Sequence, residues 1–189
     1  MADRLGDPTA RQAGRLSLNP LRHVDPIGTV VVPLALLAMG ATFLFGWAKP
    51  VPVQPGRLRR PRRDMGLVAV AGPAANLLMA IGWALAMKLG LDYHRAFPAL
   101  AEPLFYMGRA GLLINVALMV LNLLPLPPLD GGRILVSLLP PRPAMAVARV
   151  EPFGILILLA LMFTHVLPRI MGPAMDVVVV AVASLVNLR

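Results

Sequence analysis

One stretch of this chain combines residue types that could do chemistry. It runs from Asn122 to Arg133 and reads N-L-L-P-L-P-P-L-D-G-G-R. Asp130 is a carboxylate set among apolar runs, where an unpaired charge is costly and where an ionisable side chain marks a functional position. Gly131 and Gly132 follow it, and without a Cβ they let backbone approach a ligand or substrate closely. The placement predicts Asp130 as the N-cap of a short helix, whose positive end favours the ionised form a metal ligand must have. Asn122 lies eight residues earlier, and its amide could hold a substrate backbone or support a ligand from behind. Alone, Asp-Gly-Gly is a common turn and a structural cap is the simpler reading. Joined to an intramembrane amide and Pro-x-Pro, it is a more specific signal.

The elements that must position these residues follow from composition. The chain has 189 residues, 58% of them hydrophobic and 14% charged, against about 25% charged in an ordinary soluble domain. The expected fold is an all-α membrane protein, a polytopic transmembrane helix bundle with a proline-broken helix and a short extended or β lead-in. Residues 1–26 form the lead-in, with Arg15 to Leu18 alternating as a short strand would. Residues 27–189 form the transmembrane domain, with candidate spans at 27–46, 67–89, 108–124 plus 131–139, 150–168 and 173–188. The first of these carries arginines on both flanks, so a re-entrant path competes with a span. Pro125, Pro127 and Pro128 cannot continue a helix and force an extended segment ahead of Asp130. Asn76 lies within the second span, and Asn115 and Asn122, seven apart, share a face of the third. Such amides need partners away from lipid.

The remaining polar residues have plainer readings. Arg57, Arg59, Arg60, Arg62 and Arg63 form a dense positive loop, which suits the cytoplasmic side of a membrane and anionic lipid head groups. The net charge of +9 therefore does not imply nucleic acid, for which the stacking aromatics, at 5%, are also scarce. With no cysteine, disulfides and thiolate metal sites are excluded. His23, His94 and His165 are scattered, with no partner at helical spacing, and read as loop or interfacial residues. Glu151-Pro152 and Asp176 read as helix-start features.

The segment from Asn122 to Gly132 resembles the N-x-x-P-x-P-x-x-D-G-G pattern of the site-2 protease family of intramembrane zinc metalloproteases. Gly72-Pro73-Ala74-Ala75-Asn76 is similar to that family's G-P-x-x-N motif. Gly6 to Ala10, Leu18 to Thr29 and Gly46 to Val53 resemble a compact bacterial branch of it, so the likeness runs from residue 1 to about 135. The resemblance implies that Asp130 is the third ligand of one Zn2+ and that Asn76 and Asn122 bind substrate or support the site. It implies membrane-protein or peptide substrates, a lipid bilayer around the protein, and a multi-pass protein of the cell membrane.

One departure matters. The family's H-E-x-x-H helix, which supplies two zinc histidines and the general-base glutamate, does not occur in this sequence. In the relatives it ends a few residues before the segment resembling Ala2 to Ala10, so the glutamate is expected upstream of Met1. The chain as given is then expected to be inactive. The alternative is a non-catalytic membrane protein that binds transmembrane helices or lipids. A small transporter would show paired mid-membrane ionisable groups or an internal repeat, and the sequence shows neither.

Overall fold

The computed structural model of the chain describes residues 1–17, 19–40 and 46–188. The chain divides into two compact units, Met1–Asp64 and Met65–Arg189.

The first unit is built on short turns of helix. A 3-10 turn at Ala2–Leu5 precedes α1, Thr9–Gln12. Asp7 lies between them, fully buried. Its carboxylate accepts from the Thr9 hydroxyl, from Thr9 N–H at 3.0 Å and from Gln54 N–H at 2.7 Å. That last bond ties the lead-in to the segment before the arginine loop, as does Arg59 N–H to the Leu5 carbonyl at 3.1 Å. The expected strand is absent: Arg15 to Ser17 is irregular, and no strand occurs among the described residues. With no neighbouring ladder, the alternation there has nothing to pair with.

The candidate span 27–46 also takes another form. A π-helical turn at Pro26–Val31, capped by the Asp25 carboxylate on Ile27 and Gly28 N–H, leads into α2, Val32–Ala38. The helix from Pro26 to Ala38 is about 20 Å long at 1.5 Å per residue, short of the roughly 30 Å hydrocarbon core. Gly40 has φ 68°, a left-handed conformation suited to glycine. Residues 41–45 lie outside the described residues. Beyond them the chain is back beside its start, with Trp47 N–H on the Gly28 carbonyl at 3.1 Å and Lys49 N–H on the His23 carbonyl at 2.9 Å. A side chain at position 28 would meet the Trp47 ring.

The second unit holds the longer helices. These are α3, Pro61–Asp92, which begins at the end of the first unit; α4, Pro98–Leu123; α5, Asp130–Leu138; α6, Pro141–Ala148; α7, Gly154–Phe163; and α8, Val166–Leu185. Among the described residues, four stretches are long and apolar enough to cross a membrane: α3, α4, Pro141–Phe163 and α8. The protein is a multi-pass integral membrane protein with an all-α bundle. The gap between the candidate spans 67–89 and 108–124 shrinks to residues 93–97: Pro98 starts α4, where its missing N–H costs little, and Pro103 is carried inside the helix. Likewise Pro168 and Pro173 lie inside α8. The break between the last two spans falls instead at His165, whose φ of 57° is left-handed. Asp176 is therefore not at a helix start but half-way along α8.

Small residues let α3 and α4 approach closely. A Cβ on Gly90 would lie 2.7 Å from the Ala101 carbonyl oxygen, and one on Gly108 or Gly111 would strike Met87 or the Trp83 ring. Ala80 and Ala84 of α3, Leu112, Val116, Met119 and Val120 of α4, and Val182 of α8 form the buried core with Val186. Lys88 Nζ donates to the Val186 carbonyl at 2.9 Å, satisfying one of the orphan acceptors at the end of α8.

Candidate functional site

The proline segment is short and self-bonded. Leu124 N–H reaches the Leu121 carbonyl, Leu126 N–H the Leu124 carbonyl and Leu129 N–H the Leu126 carbonyl, at 3.1, 2.7 and 2.9 Å. The peptide bond between Pro127 and Pro128 is cis. These bonds replace the helical ladder that the prolines forbid, as backbone at membrane depth requires. Gly131 and Gly132 then fold under it. A Cβ on Gly131 would strike the Leu123 and Leu124 carbonyls, and one on Gly132 would strike Leu126 and Pro127. Gly154, at the start of α7, packs as tightly on Pro127 and Pro128. The loop is thus held between the end of α4, the start of α5 and the start of α7.

Asp130 is the first residue of α5, not its N-cap. Leu129 occupies the cap position in extended conformation and no side chain caps the helix. Leu129 has φ −66° and ψ 159°, so helical backbone begins one residue later than an Asp cap would need. The consequence is chemical. A capping carboxylate is engaged by backbone N–H groups, whereas the half-buried Asp130 carboxylate has no hydrogen bond with any described residue. It lies in the first turn of α5, where the helix dipole favours negative charge.

Its neighbour is the motif glycine of α3. A Cβ on Gly72 would lie 2.5 Å from Asp130 Oδ2. One on Gly66 would strike the Ser137 hydroxyl at the far end of α5, so α5 runs antiparallel along this stretch of α3. Two motifs are therefore in contact through residues more than fifty apart in sequence, Gly72 and Asp130. Asn76 lies one turn beyond Gly72 on the same side of α3, and Asn122 lies in the last turn of α4. Both amides are half-buried and neither has a hydrogen-bond partner among the described residues. Asn115 does not join them: it is buried, and its Nδ2 donates to the Gly111 carbonyl of its own helix at 2.8 Å.

The role of Gly72 was not read from the sequence. The signal was present in the G-P-x-x-N motif, but only the fold shows which side chain takes the place of the missing Cβ. Within the second unit, His94 and His165 stand elsewhere. His23 Nε2 is 3.1 Å from the Ser17 carbonyl in the first unit. His94 lines a cavity of about 220 Å³ with Gly90, Glu102, Phe105 and Tyr106. Gly90 is eighteen residues along α3 from Gly72, about 27 Å at helical rise. His165 is exposed between α7 and α8.

The donor set bears on a metal. Asp130 has the chemistry of a ligand: an oxygen donor without a competing hydrogen bond. A catalytic zinc takes three protein ligands as a rule, and no group of three His, Cys, Asp or Glu gathers among the described residues. Among the described residues, Asp130 therefore stands as a single oxygen donor and not as part of a gathered set.

A profile of peptidase family M50 matches residues 94–165, the stretch that contains the whole proline segment and Asp130. The chain is 36% identical over 180 residues to the Bacillus subtilis (strain 168) protein named "Putative zinc metalloprotease YwhC", covering 93% of this chain and 77% of that one. It is 36% identical over 167 residues to "Putative zinc metalloprotease Rip2" of Mycolicibacterium smegmatis, covering 88% of this chain and 60% of that one. The Mycobacterium tuberculosis (strain H37Rv) protein of the same name is 33% identical over 159 residues, 84% and 57% of the two chains. No solved structure matches. With the Asp130 segment inside the matched region and four helices fit to cross a membrane, the chain belongs to peptidase family M50, the site-2 protease family of membrane metalloproteases.

Proposed function

We propose that this chain forms the membrane-embedded part of an intramembrane zinc metalloprotease that hydrolyses peptide bonds of membrane proteins, and that Asp130 is one of its zinc ligands. One observation supports this above the others: a half-buried carboxylate without a hydrogen-bond partner, at the first turn of α5, lies directly against the motif glycine of α3. When bound in such a site, zinc supplies Lewis-acid activation of water and of the scissile carbonyl. The residues of this chain hold and orient. Asp130 presents an oxygen donor at fixed depth, and the proline segment and its glycine contacts keep that donor in place. Asn76 and Asn122 offer unpartnered amides that can bond the backbone of an unwound substrate segment.

The 189 residues contain no H-E-x-x-H and gather one ligand, so this chain by itself is proposed not to hydrolyse peptides. The test measures zinc by mass spectrometry and cleavage of a transmembrane substrate. Stoichiometric zinc and cleavage by the purified 189-residue chain would sink that statement. In a form that does contain H-E-x-x-H, Asp130→Ala is expected to remove zinc and cleavage together. Retention of zinc and cleavage after that change would remove Asp130 from the ligand set, and absence of both before the change would favour the rival reading, a non-catalytic protein that binds transmembrane helices or lipids.

A further inference from the structure

Where α3 gives way to α4, polar groups and aromatic rings converge on one cavity. It measures about 220 Å³ and is lined by Gly90, Leu91, His94, Glu102, Phe105 and Tyr106. Gly90 brings the two helices together backbone to backbone: a Cβ there would lie 2.7 Å from the Ala101 carbonyl oxygen and from the Phe105 nitrogen. Glu102, Phe105 and Tyr106 are spaced i, i+3 and i+4 on α4 and share one face. The two rings stand edge to face, with centroids 5.4 Å and planes 73° apart, and so form a corner of π surface rather than a flat wall. Glu102 is exposed, and its carboxylate has no hydrogen bond or ion pair with any described residue. The charged side chains close to it in sequence do not line the cavity. Asp92, Arg95 and Arg109 are exposed outside it, Arg109 being about 10 Å along α4 from Glu102 at helical rise. Lys88 is engaged by the Val186 carbonyl.

An unpaired carboxylate beside two rings suits an organic cation, which gains from the charge and from the ring faces. A metal ion fits less well. With His94 the carboxylate makes a pair, short of the three protein ligands of a catalytic zinc, and no group of three gathers among the described residues. Pockets for drug-sized ligands begin at about 300 Å³, so this one suits a smaller group. Its depth is that of lipid head groups: α3 turns from apolar to Asp92-Tyr93-His94-Arg95 here, and tyrosine favours the membrane–water interface. We infer that this cavity binds an alkylammonium group, its charge on the Glu102 carboxylate and its carbon atoms against Phe105, Tyr106 and Leu91. A phospholipid head group and a free amine both carry that group, and the depth favours the lipid. The inference does not depend on the peptidase reading.

The test uses the 189-residue chain in maltoside micelles, with native mass spectrometry of equimolar dioleoyl phosphatidylcholine, phosphatidylethanolamine and phosphatidylglycerol. The ammonium lipids are expected to be retained about fivefold over the glycerol lipid. Glu102→Gln is expected to remove that preference and Glu102→Lys to invert it, while Tyr106→Leu should weaken it about threefold. Choline chloride, titrated by calorimetry in the same micelles, separates the sources. Binding of choline with equal retention of the three lipids assigns a free amine; preferred retention of the ammonium lipids assigns the head group, whether or not choline displaces them. Equal retention without choline binding overturns the inference, as does a preference that survives in full in Glu102→Gln or Tyr106→Leu. A form that contains H-E-x-x-H should show the same preference, and its loss there would give the cavity to the protein's own chain and overturn the inference too. Circular dichroism checks the fold: because the Glu102 carboxylate has no internal partner, Glu102→Gln and Glu102→Lys should keep full helicity, and its loss in both would assign Glu102 an internal role instead.

Discussion

Asp7 and Asp130 sit in similar local sequence, each with glycine and proline close by, and the fold treats them in opposite ways. Asp7 is sealed and takes hydrogen bonds from one hydroxyl and two backbone N–H groups. Asp130 is half-buried, takes none, and faces the bare backbone of Gly72. A buried acceptor that is fully bonded is a structural joint. One whose acceptor capacity is unused is placed for something that arrives from outside. The contrast breaks if the two behave alike on substitution. Asp130→Ala should leave helicity unchanged and lower cleavage by the complete protease about a hundredfold or more, since even the partners behind a metal ligand are worth 10–100-fold. Asp7→Ala should do the reverse in kind. It should expose residues 1–64 to proteolysis, because the Gln54 N–H and the Thr9 groups lose their common acceptor.

A smaller change sharpens the Asp130 side. Gly72→Ala puts a methyl group where Oδ2 now lies, so either the carboxylate or α5 must shift. Overpacking of this sort costs about 1–3 kcal/mol. The cost should fall close to zero in an Asp130→Gly background, and the non-additivity in thermal unfolding measures the contact directly. Equal destabilisation in both backgrounds would remove Gly72 from the site.

Acid sharpens the Asp7 side. The Thr9 hydroxyl holds the Asp7 carboxyl below its ordinary value; burial opposes this, while the Gln54 and Thr9 N–H groups and the Arg57 charge support it. A carboxyl lowered in the folded state adds stability that is fully present above the unfolded value of about 3.9 and is lost as pH falls through the folded one. The protection factor of the Gln54 amide, its exchange rate relative to the intrinsic rate at each pH, should therefore hold above about pH 4 and fall below it. In Asp7→Asn the protection factor of the same amide should show little dependence on pH in that range.

Much of this was legible in the sequence because membranes constrain it tightly. Apolar runs of about twenty residues marked the long helices, and the prolines marked the break before Asp130. The errors have physical causes. The gaps between the candidate spans fall on prolines, yet at a helix start, as at Pro98 and Pro168, the missing N–H has no intrahelical partner to lose, and Pro103 and Pro173 are carried inside their helices. The expected span at 27–46 had the composition of a crossing, but composition does not register the return of Trp47 to Gly28. Asp130 was expected to be a cap, and a single residue of register separates a cap, whose oxygens are engaged, from a first-turn residue, whose oxygens are free. The contact between Gly72 and Asp130 was illegible for a simpler reason: it is made by an atom that glycine lacks.

The finest form of the comparison is between two asparagines on one helix. Asn115 and Asn122 are seven residues apart on α4, and periodicity alone gives them one role. The fold separates them. Asn115 is enclosed and bonded to the Gly111 carbonyl, while Asn122 has no partner and lies where the helix gives way to the proline segment. Asn115→Leu removes one neutral hydrogen bond whose acceptor already belongs to the helical ladder. It should cost about 1 kcal/mol or less in unfolding free energy and leave substrate binding alone. Asn122→Leu should leave stability within about 0.5 kcal/mol, because no internal bond is lost, and should raise KM for a transmembrane substrate in the complete protease. If Asn115→Leu proves the more damaging to KM, the site extends deeper along α4 than Asp130 and its loop, and the amide that meets substrate is the buried one.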